Sequence, residues 1–491
     1  MRVPRAMSTQ HPDNAFPAPF AENGVLKGEG EIDEANWAWS KLLCDEQMWD
    51  YEGKGADVDV IMKLLLRDPE YFRSHVLGSD VFLTLRIPNP SAEREMRKKL
   101  EEALHTIVTS YDIAAGFHDT SLPPIWEVIL PFTTSADELL RVEAYYREVV
   151  AGKQDHDLPG RMKVRDWLGE YHPESINVIP LLEDEVRLQQ ADTIVETYLH
   201  GLGREVPRMR VFLARSDPAL NYGLVGAVLL TKLALQRLHR LEARLGIPIY
   251  PIVGVGGAPF RGNFRPGGVG RFLREYPSVQ TFTIQSSFKY DYDPAEVSGA
   301  VQEILAHRRH EPTPIEEDRA LDILQRSKKR YQQQVVKLAD MVNAVAASVP
   351  QRRDRRLHIG LFGYSREAGD GTQGVVLPRA ITFAAALYSL GIPPELLALD
   401  ALTEDDLAFL RVVAPHIFDD LNDALRYANE ESVGRVLGPE AVAALHRFSP
   451  GPDQEHQGFT DFIFSWVQQG FDLSKARDVV EWAARRRQFL G

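Results

Sequence analysis

The sequence predicts an α/β fold, a (β/α)8 TIM-type barrel with additional helices inserted before the last strand and at the C-terminus. Three observations lead there: short apolar runs that stop at polar, glycine or proline turns, helical spacing between most of them, and a count of eight such runs. Strands separated by helices imply right-handed parallel crossovers, and eight of them favour closure into a barrel.

Taken in order, Met7 to Asn14 (MSTQHPDN) reads as a turn, because Pro12 follows His11 and an Asp-Asn pair follows the proline. Gln47 to Tyr51 is a short strand and Val58 to Arg67 a helix. Val81 to Ile87 is a clearer strand, delivering Arg86 at its C-terminal end before Pro88 and Pro90 stop it. Ser91 to Ala115 has helical spacing, Ile125 to Leu130 is a strand, and Ser135 with Glu138 forms a capping-box signature for a helix to about Val150. Lys153 to Glu174 is polar and irregular, an excursion from the pattern. The alternation then resumes with strands at Ile176 to Leu182, Arg210 to Ala214, Pro248 to Gly254 and Val279 to Gln285, and helices from about Glu185 to His200 and Tyr222 to Leu245. One long amphipathic stretch, Ile315 to about Val349, precedes the expected last strand, Leu357 to Gly363. Helices follow to the end, with Gly391-Ile-Pro-Pro394 as a break. The whole of residues 1–491 is expected to be one domain, with helical additions at about 294–349 and 393–491.

Composition narrows the function classes. Hydrophobic residues at 44% and charged residues at 26% describe a soluble globular chain with ample core material. A net charge of −14 argues against nucleic acid or an anionic membrane as partner, so any anion site must be local. Cys44 is the only cysteine and has no internal disulfide partner. No signal-like apolar run opens the chain and none approaches the ~18 to 20 apolar residues of a membrane span, so the cytoplasm is expected.

The most informative stretch is Ile249 to Arg274, a buried strand running into a loop with seven glycines, among them Gly254, Gly256 and Gly257. Such a loop lets backbone N–H groups approach a ligand, and Arg261, Arg265 and Arg271 add fork-shaped positive charge suited to phosphate or carboxylate. Strand ends supply the rest. Glu183 and Asp217 follow neighbouring strands and would open onto one face; each alone is equally a helix cap, but as a pair they suit a hard divalent cation such as Mg²⁺. Gln285 ends a further strand. Arg366 and Arg379 flank a second glycine-rich loop, with Arg379 at the opening of a helix. His11, the one side-chain type that titrates unperturbed near neutrality, sits in a rigid polar turn. These residues describe a barrel enzyme with a metal-held, anionic small substrate, and they name no reaction.

STQHPDN at Ser8 to Asn14, IPLLED at Ile179 to Asp184, RSDPALNYG at Arg215 to Gly223, the GxGGAPFRG run at Gly254 to Gly262 and LPRAITFAAALYSLG at Leu377 to Gly391 resemble, in order and over nearly the whole chain, the archaeal-type phosphoenolpyruvate carboxylase family. The resemblance implies a barrel enzyme, homotetrameric, using Mg²⁺ (or Mn²⁺) to join bicarbonate to phosphoenolpyruvate with release of oxaloacetate and phosphate. It implies His11 as base, Glu183 and Asp217 as metal ligands, and Arg261, Arg366 and Arg379 as catalytic arginines. Arg86, Gln285, Arg265 and the backbone at Gly256 and Gly257 are then substrate-binding, the glycine-rich loops 254–271 and 367–374 are lids, and an acidic metabolite such as aspartate or malate is a candidate inhibitor. The chain departs from the larger bacterial and plant carboxylases at Val253 and Val255, where they carry histidine and arginine, and at Pro218 to Leu220, which lacks their lysine. Arg265 or Arg215 is expected to replace the missing charge. Two other readings differ in what they need: a Mg²⁺-dependent lyase shares the carboxylate pair and arginines but has no use for bicarbonate, and a metabolite-binding regulator keeps the arginines and has little need of Glu183 and Asp217 as a pair.

Overall fold

The computed structural model describes residues 2–52, 56–93, 97–354, 365–366, 375–448 and 451–491. Eight parallel strands close a barrel: β1 (Ala6–Ser8), β2 (Glu46–Asp50), β3 (Phe82–Arg86), β4 (Glu127–Leu130), β5 (Asn177–Leu182), β6 (Met209–Ala214), β7 (Ile249–Gly254) and β8 (Thr281–Ile284). Neighbours in space are neighbours in sequence, and β1 closes the ring with Ala6 opposite Phe282 and Met7 opposite Glu46.

The period of two along each strand stacks the barrel interior in layers. At the N-terminal end Arg210 donates to both oxygens of Glu46, at 2.8 and 2.7 Å, and to Glu127 at 2.9 Å, while the Thr84 hydroxyl donates to Glu46. Two residues further along the strands, Met7, Met48, Ile129, Ile179, Phe212 and Ile252 make an apolar plug. Two residues beyond that, the same faces of β2 and β3 present Asp50 and Arg86, which begin the C-terminal mouth. The barrel is a packed core below and a polar site above.

Helices outside the barrel build a second apolar core. The helix Ser216–Leu245 joins the two, because Leu230, Ala234 and Leu238 pack with the barrel while Leu220, Leu224 and Val228 pack with the helices Glu317–Ala346 and Ala380–Ser389. This 30-residue helix is long and apolar enough to cross a membrane, contrary to the sequence expectation, yet 89% of its most apolar 18-residue stretch is buried within the protein. Its start is bent at Gly223, where φ is 79° and a Cβ would lie 2.9 Å from the Tyr331 ring.

Three expectations are corrected. The first barrel strand is Ala6–Ser8, overlapping the start of the stretch Met7 to Asn14 read as a turn; the turn begins after Ser8, and three residues are too few to show alternation. The predicted strand Leu357 to Gly363 lies outside the described residues, and the barrel is complete without it, so the helices Pro294–Ala306 and Glu317–Ala346 follow the last barrel strand instead of preceding it. The expected capping box is displaced: Glu138 accepts the backbone N–H of Thr134 at 2.7 Å, and Ser135 makes no side-chain cap.

Candidate active site

A cavity of about 380 Å³ opens at the C-terminal mouth of the barrel. It takes His11 from the loop after β1, Glu52 after β2, Arg86 at the end of β3, Phe132 after β4, Glu183 after β5, Arg215, Ser216 and Asp217 after β6, Gly254 and Arg261 from β7 and its loop, and Gln285 after β8. Every strand contributes. Val349 to Arg353, Arg379 to Thr382 and Leu490 close the outer wall.

The organising group is one that the sequence reading passed over. Asp13, fully buried, accepts from the backbone N–H of Ser287 at 2.7 Å, the Ser287 hydroxyl at 3.1 Å, the backbone N–H of Gly257 at 3.1 Å and Arg261 Nη1 at 3.1 Å. Arg261 also donates from Nε to Ser216 Oγ (2.9 Å), from Nη1 to the Gly491 carbonyl (2.9 Å) and from Nη2 to Gln285 Oε1 (2.6 Å). Of its five N–H groups this leaves one, on Nη2, for a substrate. The glycines serve this network by staying out of its way: a Cβ on Gly256 would lie 2.6 Å from Arg261 Nη1, and one on Gly257 would lie 2.2 Å from Ser287 Oγ. Neither lines the cavity.

His11 is held from both sides. Its Nδ1 lies 2.9 Å from the Thr9 hydroxyl, and its carbonyl accepts from the backbone of Asp13 and Ser286. Beneath it, buried Lys289 donates to Ser8 Oγ (3.1 Å), to the Thr9 carbonyl (2.8 Å) and to Glu34 (2.8 Å). Burial pushes the Glu34 carboxyl up, but the charges of Arg353 and Lys289 outweigh it and bring the pKa down to about 2. Glu34 therefore stays ionised and the loop that carries His11 stays tied.

The acids that line the cavity crowd one another. Burial first, then the charges of Asp217 and Glu52, push the Glu183 carboxyl well above the usual carboxylate range, against the Phe132 N–H that it accepts at 2.6 Å and the more distant charge of Arg86. Arg86 cannot relieve the crowding, because its Nε and Nη2 are bound to Asp50 at 2.9 and 2.7 Å and its Nη1 to Glu52 at 2.8 Å. Carboxylates that destabilise one another in a polar cavity fit a cation. Among the described residues no group of three or more His, Cys, Asp or Glu side chains could hold a metal, so a cation on Glu183 and Asp217 would complete its shell with water and substrate oxygens. That is the habit of Mg²⁺ and not of structural zinc.

Other predicted residues are distributed less evenly. Arg379 lines the cavity, partly exposed, 3.5 Å from Glu52. The side chain of Arg366 lies outside the described residues. Arg265 is not in the cavity wall; it donates to Asp423 at 2.5 Å, beside Asn263 and Arg271, which bind the same carboxylate. These contacts clamp the loop to the helix Ile417–Leu425, and residues 254–264 are all buried, which removes 254–271 as a lid. The loop 367–374 lies outside the described residues. Arg215, by contrast, is buried in the cavity wall. Arg352 and Arg353 were missed as lining residues; the available signal was the basic run from Arg352 to Arg356 directly after an amphipathic helix.

Residues 3–491 match the sequence profile of the phosphoenolpyruvate carboxylases. The chain belongs to the phosphoenolpyruvate carboxylase family. It is 46% identical over 492 residues to a phosphoenolpyruvate carboxylase of Methanothermobacter thermautotrophicus, with 100% of both chains covered. It is 46% identical over 478 residues to that of Pyrococcus furiosus, covering 97% of this chain and 99% of the other, and 45% identical over 496 residues to that of Halobacterium salinarum, covering 100% and 99%. As a member of the phosphoenolpyruvate carboxylase family it is an enzyme of the carboxy-lyase class.

The Asp13 network makes a stability prediction. Asp13→Asn leaves the buried Arg261 charge without its counter-ion, and removing one partner of a buried pair costs roughly 3–5 kcal/mol. Urea unfolding of the variant should show a loss of about that size. A loss below about 1 kcal/mol would mean that Asp13 does not hold the site together.

Proposed function

We propose that the chain joins bicarbonate to phosphoenolpyruvate to give oxaloacetate and phosphate, replenishing four-carbon acids, and that the barrel and its helical additions act as one domain. The observation that carries this reading is a single cavity lined by the crowded acids Glu183, Asp217 and Glu52 together with Arg215, Arg261 and Arg379. The carboxylates suit a cation, and the arginines suit phosphate, carboxylate and bicarbonate. The family's use of a divalent metal and the two-carboxylate set support Mg²⁺, with Mn²⁺ as a substitute, on Glu183 and Asp217.

In this mechanism a bicarbonate oxygen bonds to phosphorus as the phosphorus–oxygen bond to the enol breaks, leaving carboxyphosphate and the enolate of pyruvate. When bound, the metal supplies positive charge to the phosphate and enolate oxygens. Arg261, fixed by Asp13, Ser216 and Gln285, offers its remaining N–H without reorganising. Arg86 acts through Glu52 and Asp50, and Arg379 and, by its sequence match, Arg366 add charge from the outer wall. His11 then takes the carboxyl proton of carboxyphosphate, which splits into carbon dioxide and phosphate, and the terminal carbon of the enolate bonds to carbon dioxide. The buried walls keep water from protonating the enolate.

The defining experiment is phosphoenolpyruvate turnover with and without bicarbonate. Oxaloacetate formed only with bicarbonate is expected; turnover indifferent to bicarbonate would favour a lyase. In the same assay Glu183→Gln and Asp217→Asn should abolish turnover while the fold survives, and near wild-type activity at ordinary Mg²⁺ in either would remove the pair as metal ligands.

His11→Asn should lower oxaloacetate formation by roughly two to four orders of magnitude, the usual share of a general base. Phosphate release should fall less, with pyruvate taking the place of oxaloacetate as the stranded enolate is protonated. An unchanged ratio of oxaloacetate to phosphate would show that His11 does not act in the second step.

The enzyme is further proposed to be a cytoplasmic homotetramer, inhibited by an acidic metabolite at an arginine-lined site. Cys44, a buried free thiol, suits a reducing compartment. Exposed Phe462, Phe471 and Trp482 on and between the last helices support an interface after residue 393, one of the two regions expected from the sequence. Mass measured in solution at assay concentration should be near four chains, and a monomer would refute the assembly.

A further inference from the structure

Arg215 follows β6 at the cavity mouth and is 1% exposed. A guanidinium so deeply buried is ordinarily paired with a carboxylate. Among the described residues none lies within ion-pair distance of it, and its one hydrogen bond runs from Nη1 to the hydroxyl of Tyr276. Burial holds that phenol above its ordinary pKa, so it stays neutral and supplies no counter-charge. The nearby Glu275 is bound to Lys232 at 2.5 Å, and Asp420, which accepts from Asn263 at 2.9 Å, feels the charge of Arg215 only from beyond ion-pair distance, while burial holds its carboxyl up to about 7. Its Nε and Nη2 are buried and have no hydrogen-bond partner.

Those two nitrogens share one edge of the guanidinium. It is the edge by which Arg86 grips both oxygens of Asp50 in the same mouth, and it is the fork that binds an oxyanion through two parallel bonds. Among the described residues every other arginine lining the cavity has a carboxylate: Arg86 has Asp50, Arg261 has Asp13, Arg352 has Glu481, Arg353 has Glu31 and Glu34, and Arg379 has Glu52. We propose that Arg215 is a substrate-binding residue whose Nε/Nη2 edge grips one oxyanion of phosphoenolpyruvate, either its phosphate or its carboxylate, in place of the basic residue absent at Pro218 to Leu220. This assignment rests on the carboxylase reading above for the identity of the substrate, and on the unpartnered guanidinium edge for the existence of the site.

The test compares wild type with Arg215→Met, which keeps the bulk and removes the charge, and with Arg215→Lys, which keeps a donor for Tyr276 and loses the fork. For Arg215→Met the KM for phosphoenolpyruvate should rise on the order of 30-fold or more, as expected when a buried charged partner is lost, and the KM for bicarbonate should not move. Arg215→Lys, a guard against misfolding, should show the same selective rise, smaller in size. The melting temperature of the ligand-free protein should stay or increase in Arg215→Met, because an uncompensated buried charge has been removed. Inorganic phosphate and oxalate then serve as probes of melting temperature in the presence of Mg²⁺. Wild type should be stabilised by both, and the probe that loses its effect in Arg215→Met identifies the end of the substrate that Arg215 holds. Both probes acting on Arg215→Met as on wild type, a rise in the KM for bicarbonate alone, or a lowered melting temperature with unchanged KM would each overturn the assignment. If wild type forms no oxaloacetate the carboxylase reading fails, and the two probes still decide whether Arg215 binds an anion.

Discussion

The carboxylate of Asp13 joins three loops that are far apart in sequence. Its oxygens accept from the start of the helix after β8, from the loop after β7 and from Arg261, while its own backbone belongs to the loop after β1 that carries His11. A side chain that accepts from four donors is rigid in a way that a solvated turn is not. The residue types around it follow from that rigidity. Gly256 and Gly257 have no room for a Cβ, Ser287 supplies two donors, and Arg261 is pinned so fully that it has one N–H to give away. A glycine-rich loop that reads as a flexible anion cradle is thus a packed bracket for one arginine.

Charge is handled differently along the barrel axis. At the N-terminal end the buried acids Glu46 and Glu127 share Arg210, which offsets part of the cost of their burial, although burial still holds the Glu127 carboxyl above its ordinary range. The apolar layer above them, with Met48 and Phe212, separates that closed network from the mouth. At the mouth the pairing stops being complete. Glu183 is pushed towards its neutral form by Asp217 and Glu52, and Arg215 has a bare guanidinium edge. The same strands therefore carry a structural ion cluster at one end and a reactive one at the other, two pleats apart.

Most of the barrel was legible because its strands are apolar runs bounded by turns, and β2 through β8 fall within a few residues of their expected positions. β1 was not, because a strand of three residues with one inward side chain carries no periodicity; what makes Ala6–Ser8 a strand is the pair of open edges offered by β8 and β2. The site divided along similar lines. Glu183, Asp217, His11 and Gln285 stand within three residues of strand ends, so the topology alone brings them to one mouth, and Arg261 reaches it from the loop after β7. Arg265 sits in the same loop as Arg261 but is claimed by Asp423, 158 residues away, and no local pattern announces such a partner. Asp13 was hidden for the opposite reason: it stands two residues from His11 in a motif whose polar residues read equally well as turn formers.

Arg261 and Arg215 show how two arginines of equal burial serve different ends. Four fixed acceptors surround Arg261, so its position is settled before any substrate arrives and its charge is answered by Asp13. Arg215 keeps one neutral partner, and the fold bears its desolvation without a counter-ion. A fold tolerates such a cost where something else in the working cycle offsets it, and crowded Glu183 bears a cost of its own in the same cavity. On the carboxylase reading proposed above, a cation at Glu183 and an oxyanion at Arg215 would answer both costs, and the groups that receive them are positioned by the fold itself.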